Sequence, residues 1–394
     1  MIWIIVFFWF FISLILYVYF GYPLMVTLLS LFKPPEKVSH EEKPYVTLLV
    51  AAYNEEAVIQ QKIENCLALD YPAEHVQILI AADGSADHTV DIVQKYADRG
   101  VELSYHPARR GKLAAIGRAI DMVRNDIVVF SDANNMYPPE TLRAIVSTFV
   151  DPKVGAVSGA KTILKGYGAL GESEGLYWRY ESFIKRAESR FGCCVAISGE
   201  VWAVRRELIE TPPGDIINDD FYMGMQVAQK GFKIAYAPKA RSYERVSPSA
   251  KDEKARRSRI IAGRFQALSR ARDVLPVNRP VVLWQVFSHK LLRMFLPFAM
   301  IGAFVCNALI AGIALGNSSH YELIQLFYIS LLILQVLFYL VALVGVLTKN
   351  NNNMFGKIFY LPTFVVNSNY AALVGFYRFI TGRQTTLWER VRRS

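Results

Sequence analysis

The sequence predicts an α/β protein, a largely parallel sheet with helices on both faces, joined to transmembrane and interfacial helices. Three observations predict it. Apolar runs that end in polar or acidic residues recur at 45–53 (YVTLLVAAY), 76–83 (VQILIAAD) and 126–134 (DIVVFSDAN). Helical periodicity fills the intervals at 56–69, 87–97 and 111–124, and strands alternating with helices form crossover units. The charged residues concentrate between about 33 and 295, and membrane-length apolar runs lie outside them.

The first element, over 1–33, is a transmembrane helix. Residues 2–32 are almost uninterrupted Ile, Leu, Val, Phe, Trp and Tyr, enough for one tilted crossing. A cleavable signal peptide fits less well, because no basic stretch precedes the run, the run is too long and no A-x-A site follows. Lys33, Lys37 and Lys43 come next, and the positive-inside rule puts the α/β domain, residues 40–275, in the cytosol. Residues 279–295 mix apolar side chains with His289, Lys290 and Arg293, as expected of an amphipathic helix lying in the interface. Two clean spans follow within 296–347, joined by the short turn GNSSHYE. The last stretch, 355–394, is a third apolar segment broken by Pro362 and Asn367-Ser368-Asn369, followed by a basic tail. A full crossing would strand that tail's arginines outside, so either the segment is re-entrant or interfacial, the favoured reading, or 281–295 crosses after all.

Composition narrows the partners. With 53% hydrophobic residues and a mean hydropathy of +0.23, the chain is too apolar for an ordinary soluble enzyme. Its net charge of +10 sits mainly near the membrane-proximal segments, so phosphates and anionic membrane lipids are expected partners, and nucleic acid is not. The four cysteines lack metal-ligand spacing and Cys193 adjoins Cys194, so reduced, packing thiols are expected.

In parallel sheets, ligands bind beyond the carboxyl ends of the strands, and Asn54, Asp83 and Asp132 each fall at such an end. A further acidic pair, Asp219–Asp220, stands in INDDFYMG, and a basic run, KARRSRIIAGR, occupies 254–264. No glycine-rich phosphate loop of either common type is present, so a diphosphate must be met by a metal and basic side chains. Plainer readings remain for each: a turn or N-cap aspartate for Asp83, a helix-start pair for Asp219–Asp220, and a solvated helix face for 251–259.

AAYNEE, ADGSADHT, RRGKLAAIGRA, FSDANN, ISGEVWAVRR and NDDF, in that order from Val46 to Arg264, resemble the inverting family 2 glycosyltransferases of the GT-A fold. The resemblance is to the membrane-embedded branch with cellulose, chitin, hyaluronan and poly-N-acetylglucosamine synthases. It implies that Ala51, Tyr53 and Glu55 line the nucleotide pocket, that Asp83 hydrogen-bonds uracil and that Lys112 lies near the diphosphate. It also implies that Asp132 and Asn134 hold Mg2+ or Mn2+ at the D-x-D position. Asp220 would be the general base with Asp219 beside it, and Arg259 matches the arginine of Q-x-x-R-W. Two departures stand out. Asn218 and Asp219 replace the threonine and glutamate of T-E-D. Arg256 and Ile260 replace the glutamine and tryptophan of Q-x-x-R-W, so the acceptor side, which also includes Gly199, loses an aromatic platform. On a helix Arg256 and Arg259 share a face, so both are expected to meet the diphosphate, with Arg257 toward solvent or lipid headgroups.

The expected activity is a metal-dependent, inverting transfer from a nucleotide sugar, UDP-linked on this resemblance, to a growing cell-surface or exported polysaccharide. An accessory membrane or export subunit is an open partner. The alternative within the enzymes is transfer of one sugar to a membrane lipid acceptor. Another class altogether is a non-catalytic membrane scaffold with a degenerate transferase domain, against which the filled metal, base and nucleotide positions argue.

Overall fold

Seven strands form one sheet in the order β3-β2-β1-β4-β6-β5-β7 in the computed structural model, which describes residues 1–163, 168–244, 250–316, 322–347 and 356–384. The strands are β1 (Val46–Ala52), β2 (Val76–Asp83), β3 (Val101–His106), β4 (Ile127–Asp132), β5 (Val154–Ile163), β6 (Trp202–Arg205) and β7 (Lys233–Glu244). β3, β2, β1 and β4 run parallel, and only β6 is antiparallel to its neighbours. Every residue of β1 is buried, which is why VTLLVAA reads as a continuous apolar run and not an alternating one. Alternation survives in which face each side chain serves. Leu49, Leu79, Val128 and Phe130 join one core, and Leu48, Val50, Ile80 and Val129 join the other.

Register sets the site. Ala51 of β1 pairs with Ala81 of β2 and with Asp132 of β4, so the three carboxyl ends finish at one level. Phe130 on β4 stacks on Trp202 across the antiparallel pair, with ring centroids 4.9 Å apart. Lys62 is buried; its ammonium donates to the Asn135 carbonyl at 2.8 Å and lies 4.1 Å from the Tyr137 ring centroid, fixing the turn after β4.

The main helices are α1 (Ile2–Leu31), α2 (Ile59–Leu67), α3 (Thr89–Gln94), α4 (Lys112–Ile120), α5 (Thr141–Val146), α6 (Gly168–Phe191), α7 (Asp219–Gln229), α8 (Ala250–Ser269), α9 (Pro280–Ile313), α10 (Glu322–Leu347) and α11 (Gly356–Ile380). Among the described residues, α1, α9 and α10 are long and apolar enough to cross a membrane. Two π turns interrupt this layer, Tyr17–Gly21 in α1 and Phe287–Leu291 in α9. Tyr17 reaches across from one to the other, its hydroxyl 2.8 Å from Ser288 Oγ and 3.1 Å from Trp284 Nε1.

The stretch 279–295 was expected to be an interfacial helix. It runs without a break into the rest of α9, and its charges face inward. His289 is fully buried between two carboxylates of α6, 2.7 Å from Glu188 and 2.8 Å from Glu181, while Lys290 and Arg293 reach Glu181 at 3.4 and 3.1 Å. Tyr22 of α1 donates to Glu188 at 2.5 Å. Three parts of the chain are thus tied at one buried point. Likewise α11 is one helix through Pro362 and Asn367–Asn369, packed on α8, where Gly375 meets the Ser258 carbonyl. The GNSSHYE turn lies largely outside the described residues, and so does most of the basic tail.

Removing one partner of a buried ion pair leaves the other charge uncompensated, at a cost of about 3 kcal/mol or more. Glu188→Ala should therefore lower the thermal midpoint of the detergent-solubilised chain sharply. Glu64→Ala, which breaks the exposed pair with Arg99, should leave the midpoint nearly unchanged. Equal melting curves for the two variants would deny the cluster its structural role.

Candidate active site

Asp83 ends β2 and is buried. Its carboxylate accepts the backbone N–H of Arg110 at 3.0 Å and of Gly111 at 2.6 Å, so the 107–111 loop folds back over the strand end. Gly84 makes the fold-back feasible: at φ +60 a Cβ there would meet Arg109 N at 2.5 Å. Gly111, at φ +95, ends the loop and starts α4. The loop after β1 is laced to the same place, with Asn54 accepting from Ala86 N at 2.7 Å and Glu55 N donating to Thr89 at 2.8 Å.

These loops wall a cleft of about 330 Å³ lined by Ala51, Tyr53, Asp83, Arg109, Gly111 and Lys112. Arg109 sits over Tyr53, its guanidinium carbon 4.0 Å from the ring centroid. Ala51 and Lys112 also line a second cleft that runs on to Gly199, Trp202 and Asp219. The two clefts share Ala51 and Lys112, and so run on from Asp83 to Asp219.

Lys112 stands at its centre. Its ammonium is 2.9 Å from Asp132 and 3.7 Å from Asp219. Burial opposes its charge, but Asp132, Asp219 and Asp220 together hold its pKa above the ordinary lysine value. Asp219 and Asp220 occupy the first turn of α7, where the helix dipole favours anions. Asp220 accepts from Phe221 N at 2.7 Å, and a Cβ on Gly199 would come within 2.9 Å of its Oδ2. Burial, and then the charge of Asp219, pushes the Asp220 carboxyl up to about 6.

Asn134, on the turn after β4, donates its amide to Glu244 of β7 at 2.9 Å, and Glu244 pairs with Lys161. The amide oxygen of Asn134 is thereby turned away from Glu244. No group of three or more His, Cys, Asp or Glu side chains suited to a metal occurs among the described residues. Asp132 and Asn134 offer one charged and one neutral oxygen. That donor set fits a hard divalent cation only if a diphosphate completes the shell, as Mg2+ sites commonly do.

The basic run on α8 divides. Arg259 donates to the Ile217 carbonyl at 3.2 Å, its Nε has no hydrogen-bond partner among the described residues, and its charge lies within reach of Asp219, Asp220 and Asp132. Burial pulls its pKa below the usual arginine value. Arg256 does not join it at the cleft as expected. It pairs with Glu253 at 2.8 Å, one turn back along the helix. Arg257, expected toward solvent or headgroups, is instead enclosed: it pairs with Glu253 at 2.6 Å, donates to Ser368 at 2.6 Å and lies 4.7 Å from the Phe364 ring. A carboxylate inside the run and a polar residue on α11 explain both corrections. Ile260 contributes its carbonyl to Asn218 at 2.8 Å, which anchors α8 beside the start of α7. Arg109, Glu244 and Lys161 were missed by sequence reasoning. The paired arginines of RRGK were the one signal, since a motif can hold a stacking cation as well as a phosphate ligand.

A model of the family described as glycosyltransferase like family 2 matches residues 44–262. The poly-beta-1,6-N-acetyl-D-glucosamine synthase of Staphylococcus aureus (strain COL) is 30% identical over 221 residues, 54% of this chain and 52% of that protein. The enzyme of the same name from Staphylococcus epidermidis is 26% identical over 213 residues, 52% of this chain and 50% of that protein. The chain spans about half the length of the curated relatives it matches. Its fold is similar to that of the mannosyltransferase PcManGT from Pyrobaculum calidifontis, solved in complex with GDP-Man and Mn2+. That match has a TM-score of 0.70 and 22% identity, and covers 95% of this chain and 99% of the other. With the family's model spanning more than half of its residues, the chain belongs to glycosyltransferase family 2.

Proposed function

We propose that the chain is an inverting, metal-dependent glycosyltransferase that moves a sugar from a UDP-linked donor to a growing cell-surface or exported polysaccharide at the cytosolic membrane face. The observation that carries this reading is the gathering of Asp132 and Asp219 around the Lys112 ammonium, at 2.9 and 3.7 Å, with Asp220 and Arg259 within electrostatic reach of it. The synthase relatives support the polymer, and Lys33, Lys37 and Lys43 after α1 support the cytosolic side. Asp83, with its loop amides satisfied, keeps acceptor capacity for a base N–H.

The residues divide the labour. Tyr53 and Arg109 hold the nucleotide, and Lys112 and Arg259 face the diphosphate as negative charge develops on it. A divalent cation, when bound with the donor, would neutralise that leaving group from Asp132 and the Asn134 oxygen. The acceptor oxygen attacks C1 as the C1–O bond to the diphosphate breaks, and Asp220 takes the hydroxyl proton. One displacement inverts the anomeric centre. A second reading, transfer of a single sugar to a membrane lipid, is favoured by one observation: Ile260 stands where a stacking aromatic would grip a sugar chain, and its carbonyl is spent on Asn218.

Asp220 must be ionised to accept a proton, so turnover should rise with pH through about 6 and level off above it. Asp219→Asn, which removes the neighbouring charge, should move that limb to lower pH. Because the folded pKa lies above the unfolded one, the same ionisation costs stability as pH rises toward 6. An acid limb unmoved by Asp219→Asn would separate the two carboxylates. Asp220→Asn should cut turnover by about 10² or more while donor affinity is kept. A normal rate in that variant would remove Asp220 as the base.

Asp132→Ala should weaken Mn2+ binding in the presence of UDP, measured by titration calorimetry, and abolish transfer. EDTA should do the same to the unmodified chain and added Mn2+ should reverse it. Full activity in EDTA would leave the cation without a role. GDP displacing the bound donor better than UDP would correct the base.

A further inference from the structure

The carboxylate that a divalent cation would use is the one that Lys112 holds. The Lys112 ammonium is 2.9 Å from Asp132 Oδ1 and 3.7 Å from Asp219 Oδ2. The side chains of Lys112, Asp132 and Asp219 are 18%, 17% and 19% exposed, so their charges act on one another with little screening by water or salt. Of the two residues at the D-x-D position, Asp132 alone is ionic. Asn134 is neutral, and its amide is held by Glu244 at 2.9 Å. A dication and a lysine ammonium thus compete for one anchor, and like charges repel when they share it.

The ammonium can leave that anchor without disturbing the fold. Its backbone is pinned, because Asp83 accepts the amides of Arg110 at 3.0 Å and Gly111 at 2.6 Å and α4 begins at Lys112 itself. From that fixed point a four-carbon stem with rotatable bonds carries the charge. Lys112 lines both clefts, the one walled by Tyr53, Asp83 and Arg109 and the one that runs on to Gly199 and Asp219. A diphosphate entering from the nucleotide side meets the ammonium at the junction and offers it more negative charge than one carboxylate does.

We propose that Lys112 is an exchangeable counterion, which bars free divalent cations from Asp132 and gives that carboxylate up when a nucleoside diphosphate takes the ammonium. The inference rests on the cation-dependent reading above and adds the condition under which the cation enters. No covalent bond changes in the exchange. A dication alone adds charge beside Lys112, whereas a dication together with a diphosphate adds nearly none, so each promotes the binding of the other. Lys112 is in this respect a positioning residue for the cation, besides facing the diphosphate.

The test uses the full-length chain in a neutral detergent and reads Mn2+ binding from the paramagnetic resonance of free Mn2+, with and without UDP. In the unmodified chain, saturating UDP should tighten Mn2+ about tenfold or more, and Mn2+ should tighten UDP by the same factor. Lys112→Gln should tighten Mn2+ alone about tenfold or more and shrink the effect of UDP, because the competing charge is gone. Lys112→Arg, which keeps the charge, should not tighten it. A lysine that merely shored up the cleft would give the opposite sign, since its loss would weaken Mn2+ binding. Unchanged or weaker binding of Mn2+ alone in Lys112→Gln would overturn the proposal. A structure of the unmodified chain with UDP and Mn2+ is a check that needs no variant. Lys112 Nζ should then lie on a phosphate oxygen and Asp132 on the cation, and an ammonium still on Asp132 would overturn the exchange. Failure of the underlying reading looks different: no Mn2+ bound by the unmodified chain with either UDP or GDP would remove the cation itself, and the exchange with it.

Discussion

The ammonium of Lys112 is the interaction on which the rest of the site depends. It begins α4 directly after the Gly111 turn, and from there it bridges the end of β4 and the first turn of α7. Without a cation at that point, Asp132, Asp219 and Asp220 would repel one another across a poorly hydrated cleft. With it, three carboxylates from two elements coexist at close range, and each keeps a different character. Asp132 and Asp219 pair with the ammonium, while burial and the charge of Asp219 keep Asp220 hard to ionise. On the proposed mechanism, this is how a proton acceptor and a cation ligand can differ chemically while standing side by side.

What holds Lys112 there is backbone geometry. Asp83 draws in the amides of Arg110 and Gly111, the loop closes over Gly84, and α4 starts in the only direction left. Asp83 is thus a loop organiser whatever else it touches. The level ends of β1, β2 and β4 do the remaining alignment, because parallel register fixes where each strand stops.

Much of this was legible because burial on both faces writes a simple signal. The run at 45–53 stops being apolar where β1 stops, and the same holds for β2 and β4. Asp132, Lys112, Asp219 and Asp220 come together as the family resemblance implied, and Arg259 joins them. What was not legible depends on partners far along the chain. Glu181 lies 108 residues before His289, and without it His289, Lys290 and Arg293 look like headgroup ligands. Glu244, 110 residues after Asn134, is equally invisible. Arg256 and Arg257 misled for the opposite reason: Glu253, only one turn away, was read as part of a charge run, not as their counterion. The short antiparallel β6 gave no periodicity to recognise.

The paired π turns carry an implication for how such a chain tolerates insertion and deletion. A π turn holds one residue more than an α turn, so each is equivalent to a single added residue absorbed without breaking the helix. Here the two additions face each other, joined by Tyr17, Ser288 and Trp284. Loss of one residue within Tyr17–Gly21 would let α1 relax to regular winding and rotate its outer half by roughly 100° relative to α9. Phe8 would then leave its place against Ala303 and Tyr328. Matching loss from Phe287–Leu291 would rotate the facing helix as well. Length changes in these two segments are therefore coupled, and a lineage that shortens one is under pressure to shorten the other.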